Sequence, residues 1–510
     1  MSSAASHVLP PPRTMSSDSF EDGRRSPSHE DDSESALILA NDDAQHDDLD
    51  TTPFELSSDE DEQEENDMFA QPAGSVEPLS SLSVFVYLLS PLLKLGALLT
   101  PYEIARAPLK VALPGLFFFA SLCAFSRQIW YMLSRYVRRA DMEELFLEAL
   151  ARGRGRESRR YIIRMSVRFS TALLRVLLLV VYLRSCADAT LRYIPENFFI
   201  PPRFVATTAL ALVLSPLCFA PSLASSPVIY STWLSVATYV AWLATVAYAH
   251  AKGMFFSPKE AHPPALWEGL SIIAFTYTTS CTVPLYTALK GNPQPGMLKA
   301  KRSRSFKIFS LLSIVVATGL ILPPVLFNSQ ANELAFQNVT PPSKALVTSW
   351  SLLSVATLMF GIPSIFVTVP TLPVPLSIRR NTNLPVSRIA VFLAVYLLSF
   401  LGGAVSRAIC DVLLVLALIS TFTVPALLHI VIHNFRRPLS IVMPGTPAPG
   451  HPGMNRSDSY NDELLQRKER TLQRRRFARR IMWDVGVWTL LLPVSGGGLV
   501  WAAGRLLARW

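Results

Sequence analysis

Residues 275–291 read FTYTTSCTVPLYTALKG. The stretch lies in a run apolar enough to span a bilayer, yet it gathers Thr276, Tyr277, Thr278, Thr279, Ser280 and Thr282 just before Pro284. Hydrocarbon offers a backbone no hydrogen-bond partners, so a spanning segment stays helical unless protein or a water-filled cavity satisfies what is freed. Hydroxyls and a proline at that depth leave two readings. One is a broken helix facing a cavity. The other is an intact helix whose hydroxyls bond the carbonyls four residues back.

The surrounding chain sets the class. Half of its 510 residues are hydrophobic and the mean hydropathy is +0.31. From residue 81 onward, apolar runs recur that are each long enough to cross roughly 30 Å of hydrocarbon. Eleven spans are expected, at 81–104, 108–133, 161–184, 203–223, 227–250, 266–290, 306–327, 345–369, 387–404, 407–433 and 482–508. The fold class is therefore an all-α polytopic membrane protein.

Charge orients the spans. Basic residues crowd the loops after spans two (Arg135 to Arg160), six (Lys299 to Lys307), eight (Arg379, Arg380, Arg388) and ten (RKERTLQRRRFARR). These loops share one side if the count is eleven, and by the positive-inside rule that side is cytosolic. The N-terminus is then cytosolic and the C-terminus lies on the far side. Asn338 opens an Asn-Val-Thr sequon in a loop on the far side, a possible glycosylation acceptor.

Two segments stand outside the spans. Residues 1–80 hold 21 acidic residues against 3 basic ones, with few aromatics, and are expected to be a disordered cytosolic tail. Residues 81–510 are the transmembrane domain, with a basic cytosolic loop at 434–480. Its stretch 460–480 reads either as a helix on anionic lipid headgroups or as ordinary positive-inside charge. No signal peptide is expected, because the first 80 residues are polar and acidic. Five scattered cysteines show no metal spacing. Cys186 and Cys410 fall near outer span ends, where a bridge and isolated thiols are both open.

A second interruption sharpens the first. Span one contains Pro91, Gly96 and Pro101 in SPLLKLGALLTPYE. Spans one and six open the two five-span halves. Interruptions at corresponding positions of two halves point to a transport site between inverted repeats, where half-helix N-termini hold a carboxylate and freed carbonyls hold a cation or ammonium.

Three motifs resemble one known family. LGALLTPYEIA at 95–105 is similar to the glycine-containing first helix of the amino acid/auxin permeases, which carry the amino acid transporter transmembrane domain. AFTYTTSCTVPLYTALK at 274–290 resembles that family's sixth helix, and DVLLVLALISTFTVPALLHIV at 411–431 its tenth. The resemblance implies a LeuT-like fold of a 5+5 inverted repeat plus one helix, and secondary active transport of amino acids driven by protons or sodium. It also implies that backbone around Gly96, Ala97 and Leu98 and around Phe275, Thr276 and Tyr277 meets the substrate, with Thr278 lining the same cavity. An acidic tail of this kind resembles vacuolar members, which suggests an endomembrane. The sequence departs from the family at Leu98–Thr100, at Glu103, at Lys94 and in lacking a glycine in the span-six break.

Charged groups at depth are costly and usually functional. Arg164, Arg168 and Arg175 share a face of span three, with Arg175 near mid-span. Glu103 and Glu268 lie toward the outer face, either as proton carriers or as solvated interfacial carboxylates. Arg175, Glu103 and Glu268 are the candidate coupling or gating residues. No cofactor is expected beyond a coupling proton or sodium ion, and no nucleic-acid partner. No His-box, acid pair or nucleotide loop points to an enzyme. A membrane sensor or scaffold on the same fold, signalling through the tail, is the alternative to a transporter.

Overall fold

The computed structural model describes residues 79–103, 108–136, 142–151, 157–194, 201–252, 266–279, 282–290, 299–334, 343–371, 385–432 and 483–506. The chain divides into two compact units, Met1–Ser58 and Asp59–Trp510, and every described residue lies in the second. The acidic tail up to residue 78, the basic loop 434–480 and Asn338 lie outside the described residues, as do the side chains of Glu103 and Glu268.

The described residues are helical throughout. Span one is α1 (Ser81–Leu89), a tight 3₁₀ turn (Ser90–Leu93) and α2 (Leu95–Glu103). Span two is α3 (Leu109–Tyr136), followed by a short connecting helix α4 (Met142–Leu150). Spans three to five are α5 (Glu157–Thr190), α6 (Pro202–Cys218) and α7 (Ser226–Ala251). Span six is α8 (Leu266–Thr276) and α9 (Thr282–Lys290). Spans seven to nine are α10 (Lys299–Leu334), α11 (Lys344–Val367) and α12 (Val386–Ser399). Span ten is α13 (Gly403–Leu418), a π-helical turn (Ile419–Thr423) and α14 (Val424–Ile430). The last runs from 483 through a second π-helical segment (Leu490–Gly496) into α15 (Gly497–Leu506).

Every expected span thus falls on helix. Six of these helices are long and apolar enough to cross a bilayer, and α1 with α2 makes a seventh as a pair bent by 44°. Helices α6 and α12 are apolar but shorter. Large apolar side chains such as Leu212, Tyr230, Val315 and Leu393 are turned outward. That surface suits lipid and would be a liability in water.

The helices meet in a way that reveals two related halves. Helix α1 packs on α10, and its counterpart five spans on, α8 with α9, packs on α3. Helix α7 packs on α11, and α13 packs on α5. The same exchange relates α6 on α11 to α12 on α5, and α1 on α7 to α8 on α13. Replacing each helix in these pairs by the one five spans later returns a pair that also packs. Five is odd, so the second half enters the bilayer from the opposite side, as an inverted repeat must.

Small and hydroxyl-bearing residues let helices approach closely where lipid provides no hydrophobic drive. At the α7–α11 contact, Ser235 Oγ donates to Thr357 C=O at 2.7 Å, and the Thr357 hydroxyl donates to Thr238 Oγ1 at 3.1 Å. Trp242 on α7 meets Trp350 on α11 edge to face. The main buried cluster runs from Leu92 and Ala97 through Leu179, Trp242 and Ile273 to Ile314 and Ile362, so both halves share one core.

Candidate functional site

The break in span one lies at Lys94, within the SPLLKLGALLTPYE stretch and between Pro91 and Gly96. Pro91 falls in the 3₁₀ turn, which it enters readily because its missing N–H is not needed there. Lys94 then leaves helical geometry (φ −99°, ψ −137°) and α2 begins. Pro101 sits inside α2 without breaking it. A proline at that position leaves Ala97 C=O without its usual donor, and the Thr100 hydroxyl takes the role at 2.6 Å. Leu98 N–H closes the first turn on Lys94 C=O at 3.0 Å, so the amides before it are the ones α2 leaves unbonded.

The break in span six falls within FTYTTSCTVPLY, between α8 and α9. Helix α8 continues through Phe275 and Thr276, and the chain leaves it at Tyr277. Tyr277 N–H reaches Ala274 C=O and Thr278 N–H reaches Phe275 C=O, a tightening last turn. Pro284 lies in the first turn of α9, where an N–H has no helical partner to lose. It starts a half-helix and does not interrupt one.

Span ten completes the wall. In its π-helical turn, Thr421 Oγ1 accepts from Thr279 N–H at 3.0 Å, and Thr421 C=O accepts from Ser126 Oγ on α3. The turn that widens one helix thus satisfies the broken backbone of another, the sort of place π-bulges occupy in functional sites.

Between these elements lies a small cavity of about 40 Å³. Pro91 and Gly96 form one wall, and Phe275, Thr276, Thr278 and Thr279 the facing one. Leu174, Leu178 and Tyr182 on α5, Ile365 on α11, and Leu413, Ala417 and Thr421 on span ten close it. The walls touch where a Cβ on Gly96 would stand 2.7 Å from Thr276 Cα. Only glycine lets α2 and α8 come so near.

Of the seven residues singled out for substrate contact, Gly96, Phe275, Thr276 and Thr278 line the cavity. Ala97 and Leu98 are buried in the packing beside it. Tyr277 is fully buried and its hydroxyl meets Thr318 Oγ1 on α10 at 2.9 Å, which anchors the break from behind. Arg175 is buried and donates through Nη1 to Thr368 C=O, the residue that caps α11. A cation at a helix C-terminus is a favourable placement for structure. Arg168 and Arg164 reach Glu143 on α4, at 3.0 and 3.7 Å. Cys186 and Cys410 are not bridged by a disulfide, and Cys186 Sγ is directed at Val355 C=O.

Two residues that shape the site escaped the sequence reading. Arg127 on α3 is 1% exposed; it donates to Leu88 C=O on α1 at 2.9 Å and to Ser313 Oγ on α10 at 2.8 Å. Its signal was a lone arginine in an apolar run, about two turns deeper than Arg135. Thr421 had one as well, since Thr-Val-Pro at 423–425 repeats the Thr-Val-Pro of 282–284.

No protein-family model matches this sequence, and no curated protein sequence does. Among solved structures it is similar to two mutant forms of the manganese transporter of Eremococcus coleocola. Each is 13% identical, covers 86% of this chain and 98% of its own, and superposes with TM-scores of 0.44 and 0.41. The same transporter in complex with an aromatic bis-isothiourea substituted compound is 12% identical over the same 86% of this chain and 99% of its own, with a TM-score of 0.37.

Proposed function

We propose that the chain is a secondary active transporter that moves amino acids by alternating access, driven by a proton or sodium gradient, in an endomembrane and with its N-terminus cytosolic. The observation that carries this reading is the cavity at the meeting of two interrupted spans. There the first-turn amides of α2 offer positive dipole to a carboxylate, and the carbonyl end of α8 offers negative dipole to an ammonium. Leu174, Leu178, Ile365, Leu413 and Ala417 supply a hydrocarbon floor that suits a neutral, apolar side chain. The described residues of the lining bear hydroxyls and hydrocarbon, and among them are no carboxylates, imidazoles or thiols, the groups that would hold a divalent metal as cargo.

Counterflow of a radiolabelled amino acid mixture into liposomes holding the purified protein tests the reading, with and without a pH or sodium gradient. Uptake is expected in the wild type. Ala417→Phe, which fills the cavity at an overpacking cost of about 1–3 kcal/mol, is expected to lower uptake by about tenfold. No counterflow for any amino acid under any gradient overturns transport and leaves the sensor reading.

A further inference from the structure

Lys94 is 1% exposed, in the gap between the 3₁₀ turn and α2. Its Nζ donates to Gly361 C=O at 3.0 Å and lies 3.5 Å from Ser364 Oγ, both on α11. The Tyr182 ring centroid on α5 is 5.9 Å away. Ser364 donates to the same Gly361 carbonyl at 2.9 Å, so it turns a lone pair toward the ammonium. Gly361 makes the room, because a Cβ there would stand 2.5 Å from Lys94 Cε and 2.9 Å from Nζ. A carbonyl oxygen, a hydroxyl oxygen and an aromatic face are donors that suit a monovalent cation or an ammonium group.

The place matters as much as the donors. Lys94 belongs to the interrupted span of the first half, and its partners belong to α11 in the second. Pro91, Gly96, Tyr182 and Ile365, all close to it in sequence or space, line the cavity, so the ammonium sits immediately behind the cavity wall. A dissolved ion bridging that seam would bind and leave. A lysine delivers the same charge on a covalent arm, at a high effective concentration.

We propose that Lys94 is a tethered cation: its ammonium fills a monovalent-cation socket between the span-one break and α11, so that this socket takes no dissolved sodium or potassium. The consequence for coupling rests on the transport reading, since it removes an ion bound at this seam from the driving cycle. The socket itself does not depend on that reading.

The test uses the purified full-length protein in detergent, with unfolding followed in sodium, methylammonium or choline chloride at equal ionic strength. The wild type sets the baseline response to the three salts. Lys94→Ala empties the socket and is expected to be stabilised by sodium or methylammonium but not by bulky choline. At about nine times the dissociation constant its folded-to-unfolded ratio rises about tenfold. Lys94→Met fills the same space without charge and is expected to show no such rescue. Should Lys94→Ala fail to fold in choline, recovery of folded protein on purification in methylammonium is expected, and equal failure in both salts overturns the proposal. A Lys94→Ala variant that responds to the three salts no differently from the wild type, or equal rescue of Lys94→Met, would each overturn it too. Absent uptake by wild-type liposomes sinks the transport reading alone, because the unfolding experiment does not depend on it.

Discussion

At the break in span one the donors are two cations. Lys94 reaches Gly361 C=O, and Arg127 reaches Leu88 C=O just before the 3₁₀ turn. At the break in span six the partners are neutral: Thr421 for Thr279 N–H, Thr318 for the Tyr277 hydroxyl, and the Thr278 hydroxyl for Phe275 C=O. Both breaks free backbone groups inside the helix packing, and at each break some of them find partners. Charged donors make hydrogen bonds about twice as strong as neutral ones but leave a costlier gap when removed. The first break is therefore held firmly to its neighbours, and the second is closed by small contacts that can exchange partners. In an alternating-access cycle this difference makes the span-six side the natural mover.

Substitutions can break that contrast or sharpen it. The largest effect is expected from Arg127→Met, which leaves Leu88 C=O and Ser313 without a charged donor; a stability loss of about 3 kcal/mol is expected in denaturant unfolding of the detergent-purified protein. Next comes Gly96→Ala, whose methyl meets Thr276 backbone. It is expected to cost about 2 kcal/mol and to push α2 from α8, read as lower stability together with reduced uptake. Thr421→Val removes the neutral acceptor of Thr279 N–H and is expected to cost about 1 kcal/mol. If Thr421→Val proved as damaging as Arg127→Met, the two breaks would not differ in kind. The smallest change is expected from Glu143→Gln on α4, away from both breaks, because partly exposed ion pairs contribute about 0.5 kcal/mol; an effect larger than that of Thr421→Val would place a firmer joint at the base of α5 than at either break.

How far the site could be read from sequence follows from what each residue needs. Gly96 and Thr276 were found because glycine and clustered hydroxyls are unusual in lipid. The exact break points were not, because proline marks a missing donor without saying how it is replaced. Thr100 repairs α2 around Pro101, and of the stretch from Pro91 to Pro101 it is Lys94 that leaves helical geometry. Pro284 looked like a breaker and proved to be a helix start. Lys94 was visible as a charge at depth, but its partners lie more than 260 residues away in sequence. Arg175 was visible as a buried cation and only its contact with Thr368 showed it capping a helix.

By itself the sequence determined the helical class, the placement of the apolar helical stretches, the interruption of the first and sixth, and the membrane as solvent. Those properties depend on local apolar length and on residues that disturb a helix from within. The tertiary structure alone decided where each break falls, which carbonyls remain exposed, and that a lysine from one half is seated in the other. Those depend on distant partners, since a freed backbone group in a dry interior goes wherever the packed neighbours offer it a hydrogen bond.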